Sequence, residues 1–167
     1  MTDTILAFIQ AHAFWAAPIT FLLAFGESLA VISLFLPATV MLVAIGGLIG
    51  VARIPLWPIV FAGFLGAVMG DWLSYTVSRH YKDSIASVWP LSCYPETLAK
   101  AQALFRKWGA FGVFIGRFSG PLRAVVPLAA GMSEMPWVPF QIANVTSAAV
   151  WAVGLLAPGV VLAHWFW

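Results

Sequence analysis

The sequence predicts an all-α, polytopic membrane protein, and three observations carry this prediction. Hydrophobic residues make up 62% of the 167 residues and charged residues only 8%, whereas a soluble domain carries about 25% charged residues. The mean hydropathy is +0.97, and a soluble domain of this size could not bury so much apolar surface. Uncharged windows of 23 and 25 residues separate Asp3, Glu27 and Arg53, and a spanning helix needs about 20 apolar residues.

Composition also excludes several classes of function. Eight basic residues and a net charge of +2 give no basic footprint for nucleic acid. A single cysteine, Cys93, excludes an internal disulfide framework and a cysteine-based zinc cluster. The three histidines are far apart, and neither H-E-x-x-H, G-x-S-x-G nor a Walker loop occurs. We therefore expect a non-enzyme with no catalytic residue, no metal and no cofactor.

A central polar region divides the chain at residues 79–107. It holds five of the eight basic residues, and the positive-inside rule places it in the cytoplasm. Its second half predicts an amphipathic helix on the membrane surface, because four apolar side chains fall along one stripe. The four are Leu98, Ala101, Phe105 and Trp108. The alternative is an ordinary cytoplasmic connector.

Two hydrophobic windows on either side of that region are broken by proline. Pro37 interrupts residues 28–52, and Pro121 and Pro127 interrupt residues 111–133. A proline removes a backbone donor and blocks the preceding helical turn, which a membrane tolerates where protein or a wet cavity satisfies the backbone. Two such segments are typical of re-entrant hairpins in transporters. The alternative is a pair of kinked spanning helices.

An internal repeat favours the hairpins. A shift of 81 residues aligns small residues and prolines of the two halves: Gly50, Pro55, Pro58, Ala62 and Ala67 with Gly131, Pro136, Pro139, Ala143 and Ala148. Upstream the match fails, since Pro37 falls on Phe118. We predict one domain over residues 1–167, with halves at about 25–78 and 106–160 in opposite orientations. Ala62, Gly66 and Gly70 form a small-residue face for helix packing, compatible with a homodimer.

Four isolated charges are the candidate functional residues: Glu27, Asp71, Arg117 and Arg123. Ionisable residues inside a membrane are costly and face a partner or a water-filled cavity. Arginine presents a planar fork that matches phosphate oxygens in pairs. A carboxylate in a low-dielectric site can take up and release a proton. These properties favour proton-coupled movement of an anionic lipid, and the alternative is a self-neutralised set with a structural role.

Four motifs in order resemble the DedA family, also called the SNARE-associated or VTT-domain superfamily. The motifs are Phe25-Gly26-Glu27-Ser28 with Leu36-Pro37, Gly70-Asp71-Trp72-Leu73-Ser74-Tyr75, Phe114 to Arg123, and Pro127 to Gly131 with Met135, Phe140, Asn144 and Trp151. The resemblance covers residues 25–151. It implies two oppositely oriented re-entrant helical hairpins packed among transmembrane helices, in the bacterial inner membrane.

The resemblance also implies a function. Members are lipid flippases or scramblases, with undecaprenyl phosphate or phospholipids such as phosphatidylethanolamine as partners, coupled to protons or sodium. It implies substrate binding by Arg117 and Arg123, and proton coupling or charge balance by Glu27 and Asp71. Tyr75 is a candidate supporting residue.

The chain departs from the family at the first hairpin turn. In Pro37-Ala38-Thr39, a threonine stands where the family carries a second acid. A threonine hydroxyl hydrogen-bonds but does not titrate near neutral pH, so Thr39 is a candidate supporting residue and favours passive transport. Two other functions remain open: a scaffold membrane protein and a membrane-embedded lipid-phosphate enzyme. We expect the nine tryptophans to be interfacial anchors.

Overall fold

The computed structural model describes residues 10–29, 38–87, 95–119 and 122–166. In these ranges the chain is helical and contains no strand, which confirms the predicted all-α class. A 3₁₀ turn, Ala13–Trp15, precedes the first helix. The helices are α1 Ala16–Ser28, α2 Ala38–Val51, α3 Leu56–Ser87, α4 Pro95–Trp108, α5 Ala110–Arg117, α6 Leu122–Met132 and α7 Trp137–Phe166. Pro37, Cys93, Gly120 and Pro121 lie outside the described residues.

Two helices are long and apolar enough to cross a membrane. The qualifying stretches are Leu56–Tyr81 in α3, with 26 residues, and Trp137–Pro158 in α7, with 22 residues. At 1.5 Å per residue, both exceed the hydrocarbon core of about 30 Å. Large apolar side chains such as Trp57 and Phe61 are exposed on α3, as on a helix surrounded by lipid. The predicted membrane character of the chain is therefore matched by its surface.

The central polar region contains two helical parts. The first part, residues 79–87, continues α3, with non-helical angles at Tyr81 (φ −105°, ψ 15°). No Gly or Pro follows Gly70 in α3 to end the helix earlier. The second part is α4, the predicted amphipathic helix. Its Phe105 is buried against the protein and Trp108 is 46% exposed.

The predicted small-residue face brings α1 against α3. A Cβ atom at Gly70 would lie 2.7 Å from the carbonyl oxygen of Phe25, and one at Gly66 would overlap the carbonyl oxygen of Phe21. Only glycine permits this approach of the two backbones. The packing function of the face is confirmed, and its partner lies within the same chain.

Helices α2 and α6 each pack on the long helix of the other half. Helix α2 lies on α7, where a Cβ at Gly46 would come 2.7 Å from the carbonyl oxygen of Leu156. Helix α6 lies on α3, where a Cβ at Gly131 would overlap the Ser78 hydroxyl. The two halves are thus interlocked through α2 and α6 and do not form separate bodies.

The turns that follow α2 and α6 have the same backbone structure. Arg53 and Glu134, which are 81 residues apart, both adopt left-handed angles, with φ of 53° and 52°. Three hydrogen bonds recur at the same shift: Ala52, Arg53 and Ile54 donate to Leu48, Gly50 and Ile49, and Ser133, Glu134 and Met135 donate to Ala129, Gly131 and Ala130. A left-handed residue after the last turn satisfies orphan carbonyls at a helix end. Residues that are aligned by the 81-residue shift in this turn therefore also share their backbone conformation.

Two apolar clusters form the core. One joins α1, α2, α3 and α7 around Leu42, Ile49 and Leu156. The other joins α3 to α4, α5, α6 and α7, where the rings of Tyr75 and Phe140 stack at 4.1 Å. On α3, Asp71 lies one turn from each cluster.

Candidate functional site

The structure brings the four predicted charges together as two buried ion pairs. Arg123 Nη1 lies 2.6 Å from Glu27 Oε1, and Arg117 Nη2 contacts Asp71 Oδ2. The side chains are 3% (Arg117), 7% (Asp71), 10% (Arg123) and 9% (Glu27) exposed. Both arginines are therefore inside the protein beside acids, and the expected cluster of opposite charges is present.

Helix packing explains how residues so distant in sequence meet. Glu27 is in the last turn of α1, and the glycine face of α3 holds that helix beside Asp71. Arg117 ends α5, and Arg123 is the second residue of α6. The break between α5 and α6 therefore places the two guanidinium groups on different helices, so that each faces a different acid.

Arg117 is enclosed by hydrogen-bond acceptors. Its Nε donates to Ser147 Oγ at 2.9 Å, and its Nη2 donates to Asn144 Oδ1 at 2.7 Å and to Asp71. Asn144 is itself fixed, because its Nδ2 donates to the carbonyl oxygen of Val68 at 3.1 Å. Only Nη1 of Arg117 has no partner among the described residues. The Nε–Nη2 edge of this guanidinium, which could bind two oxygens of one anion, is thus already occupied by the protein.

Arg123 is held differently. Its Nη1 donates to Glu27, while its Nε and Nη2 find no partner within the described ranges. These two donors form one edge of the guanidinium, the edge that grips two oxygens of a phosphate or carboxylate. Glu27 Oε2 also lacks a partner among the residues that the structure describes. A buried donor without an acceptor costs about 1–3 kcal/mol, so this edge is a candidate anion site.

The guanidinium of Arg123 lies over the ring of Trp151. The Cζ atom is 4.1 Å from the centre of the ring, and Trp151 is 6% exposed. An aromatic face attracts the cation without using any N–H group. The expectation that all nine tryptophans are interfacial anchors is therefore wrong for Trp151, because this ring is buried on the cation. Trp15, Trp57 and Trp137 are more than half exposed, as anchors would be.

Thr39, the predicted supporting residue in place of an acid, contacts Glu27 directly. Its Oγ1 donates to Glu27 Oε1 at 2.5 Å, so this carboxylate oxygen accepts from Thr39 and Arg123 together. The hydroxyl joins the first turn of α2 to the end of α1. It adds a hydrogen bond to the site but no charge.

Tyr75, the other predicted supporting residue, braces the turn after α6. Its hydroxyl donates to the carbonyl oxygen of Met135 at 2.5 Å. Arg79 Nη1 donates to both Tyr75 Oη, at 2.5 Å, and the Met135 carbonyl, at 3.0 Å. Tyr75 therefore positions α6, which carries Arg123, from the opposite end of that helix.

Sequence reasoning assigned no site role to Asn144, Ser147 or Trp151. All three are buried on α7 and lie at spacings of three and four residues, so they share one face of the helix. Two polar residues at that spacing in an uncharged helix are a signal that could have marked them. Within residues 10–29, 38–87, 95–119 and 122–166, no group of three His, Cys, Asp or Glu side chains could hold a metal ion.

Comparison of the sequence with known proteins identifies the same family that the four motifs resemble. The VTT domain matches residues 36–161, which is most of the chain. The chain belongs to the VTT-domain (DedA) family. Inner membrane protein YabI of Escherichia coli is similar, at 32% identity over 92% of the chain, and Protein DedA of the same organism is 26% identical over 87%. An uncharacterized membrane protein of Mycobacterium bovis is 36% identical over 62% of the chain and 51% of its own length.

YabI and the mycobacterial relative are membrane proteins by name. The chain spans 60% of the length of YabI and 68% of that of DedA. Comparison with solved structures gave no significant match.

Proposed function

We propose that this VTT-family protein is a flippase or scramblase that moves a phosphate-bearing lipid across the bacterial inner membrane. The observation that carries the proposal is the buried edge of Arg123, whose Nε and Nη2 have no partner among the described residues. A phosphate offers the pair of oxygens that this edge requires. Undecaprenyl phosphate and phospholipids such as phosphatidylethanolamine both present such a group.

The proposed architecture is multi-pass, with two re-entrant hairpins and a cytoplasmic segment at residues 79–107. Helices α2 and α6 have 14 and 11 residues, or about 21 and 17 Å, which is too short for a hydrocarbon core of about 30 Å. Their interlocked packing on α7 and α3 and the repeated turns support hairpins of opposite orientation. The name of YabI supports the inner membrane.

In the proposed mechanism the phosphate binds the Nε and Nη2 donors of Arg123 while Glu27 keeps Nη1. The four described charges sum to zero, so an incoming phosphate adds negative charge next to Glu27. Protonation of Glu27 would relieve that repulsion, and Thr39 would keep the neutral acid hydrogen-bonded. Because Thr39 cannot titrate near neutral pH, Glu27 and Thr39 together exchange at most one proton. Asp71 balances the charge of Arg117.

Arg117 is assigned a different role in this proposal. Its occupied Nε and Nη2 hold α5, α3 and α7 together, which fixes the position of the helices around Arg123. The sequence predicts that Arg117 also binds the substrate. Among its donors, Nη1 has no partner in the described residues and is the one left for such a contact. Direct contact with phosphate is therefore expected to be mainly with Arg123.

Reconstitution tests the proposal. Purified protein is placed in liposomes that contain a fluorescent phosphatidylethanolamine, and dithionite bleaching from outside measures how fast the inner leaflet becomes accessible. We expect exchange that depends on the protein and that is lost in Arg123→Ala. Lys100→Ala is the matched control, because it removes an exposed cation on α4. A parallel series uses a fluorescent polyprenyl phosphate.

The same assay separates the alternative functions. Exchange equal to that of empty liposomes for both lipids would contradict transport and favour a scaffold whose charges lock the helices. Release of inorganic phosphate from the lipid would favour the lipid-phosphate enzyme. Equal rates between about pH 5 and pH 8 would contradict proton exchange at a carboxylate and leave passive scrambling.

A further inference from the structure

The Arg123 site is closed in this structure. The Nε and Nη2 atoms of Arg123, which have no partner among the described residues, are buried, and so is Glu27 Oε2. Four helices contribute to the enclosure: α1 with Glu27, α2 with Thr39, α7 with Trp151 and α6 with Arg123 itself. A phosphate therefore reaches the Nε–Nη2 edge of Arg123 only when part of this enclosure moves.

Three of these helices are held firmly. A Cβ at Gly70 would come 2.7 Å from the carbonyl oxygen of Phe25, so α1 is fixed on α3. Helix α6 is enclosed, because no residue from 123 to 132 is exposed, and Tyr75 donates to the turn that follows it. Helix α7 packs on α2, α3 and α5. Helices α1, α6 and α7 therefore form the fixed walls of the site.

Helix α2 is anchored at its second half. A Cβ at Gly46 would come 2.7 Å from the carbonyl oxygen of Leu156, and Ile49 is 2% exposed. In the turn that follows, the carbonyl oxygen of Ala52 accepts a hydrogen bond of 3.1 Å from Gln10 Nε2. The second half of α2 is therefore fixed on α7 and joined to the residues that precede α1.

The first half of α2 is held much less. Five of the six residues 39–44 are exposed, and only Leu42 is buried. This half contains Thr39, whose hydroxyl donates to Glu27 Oε1. The half of α2 beside the site is thus the half that packs least on the protein.

Two adjacent glycines separate the halves of α2. Gly46 is required for the contact with α7, but a Cβ at Gly47 would have no atom within 4 Å, so packing does not require glycine there. Glycine destabilises a helix interior relative to alanine, and glycine pairs are sites at which helices kink. At the same 81-residue shift, α6 has Pro127 and Leu128, which are both buried. The repeat therefore contains this flexible point in one half only.

We propose that residues 39–44 are a lid over the Arg123 site, which opens when α2 bends at its two glycines. The lid rests on the proposed function, since it controls how a phosphate reaches Arg123. Opening breaks the hydrogen bond from Thr39 to Glu27 but no ion pair, because α2 contains no charged residue. The outer side chains of the lid are apolar, with Val40 70% exposed, so outward bending moves them through lipid.

Spin-label distances in the full chain test whether the lid moves. Cys93→Ser removes the single native thiol, and labels are placed at exposed positions: Val40→Cys in the lid, Leu48→Cys after the glycines, and Val138→Cys on α7 as the common reference. We expect two distance populations for Val40 to Val138 and one for Leu48 to Val138. In Gly47→Ala the open population should fall about four- to fivefold, the factor by which a helix favours alanine over glycine.

Gly154→Ala is the matched control. A Cβ at Gly154 also has no atom within 4 Å, and this glycine lies on α7, outside the lid. The substitution should leave the open population unchanged. In the liposome assay, Gly47→Ala should slow lipid exchange by a factor similar to its effect on the open population, while Gly154→Ala keeps the wild-type rate.

Three results would overturn the lid. The first is a single distance population for both label pairs. The second is two populations for both pairs, which would show that α2 moves as a whole. The third is an equal effect of Gly47→Ala and Gly154→Ala on the open population or on lipid exchange. Absence of exchange in the wild type would contradict the proposed function alone, since the distances are measured without transport.

Discussion

Arg117 and Arg123 lie six residues apart, and each pairs with one buried acid, yet their surroundings differ. Arg117 meets an amide and a hydroxyl from α7, whereas Arg123 meets the face of an indole from the same helix. Polar partners consume N–H groups, and an aromatic face stabilises the cation while leaving them free. The same residue type is thus a structural lock in one place and a candidate anion site in the other.

The largest expected effect on stability is that of removing Arg117. Arg117→Ala should lower the free energy of unfolding by about 3–5 kcal/mol, because it leaves the Asp71 carboxylate buried without its cation. Arg123→Ala should cost less, since this guanidinium has only one hydrogen bond in the described part of the chain. Thermal unfolding in detergent measures both, with Lys100→Ala as the control. Equal losses for the two arginines would remove the distinction.

A second prediction concerns the packing that brings Glu27 beside Asp71. Gly70→Val should destabilise the protein by about 1–3 kcal/mol, because the added methyl groups meet the Phe25 backbone of α1. Gly47→Ala is the control, since a Cβ there has no atom within 4 Å. The same unfolding assay applies. A neutral Gly70→Val would show that α1 does not need this close approach.

A third prediction sharpens the role assigned to Arg123. Arg123→Lys keeps the charge beside Glu27 but loses the paired edge. Lipid exchange should fall by at least about tenfold, since one charge-assisted hydrogen bond contributes about 1.5–3 kcal/mol, while stability changes little. The liposome assay and thermal unfolding are read together. If Arg123→Lys exchanged lipid at the wild-type rate, Arg123 would contribute only its positive charge.

The smallest effect is expected at Thr39. Thr39→Val removes the hydroxyl that donates to Glu27 and preserves the side-chain shape. Because Thr39 is exposed, water can replace the lost donor, so exchange should change severalfold at most, with Thr76→Val as the control. Thr76 is an exposed threonine whose hydroxyl bonds within α3. A loss as large as that of Arg123→Lys would make Thr39 a principal part of the site.

The repeat shows how far sequence patterns carry. Five aligned small residues and prolines marked the turns after α2 and α6, and the structure gives both turns the same hydrogen bonds. The alignment contains no pair at Arg53 and Glu134, whose side chains are unrelated. Their shared left-handed conformation is a property of the helix end, so a comparison of side chains does not reveal it.

By itself the sequence determined the helical class, the membrane character, the α4 helix and the four charges, because these depend on composition, periodicity and the cost of burying ions. Which acid faces which arginine was decided by tertiary structure alone. Glu27 and Arg123 are 96 residues apart, and their contact depends on glycine-mediated packing of α1 on α3 and on the exchange of α2 and α6 between halves. Hydrophobic periodicity indicates that one face of a helix is buried. Which other helix that face contacts depends on three-dimensional packing.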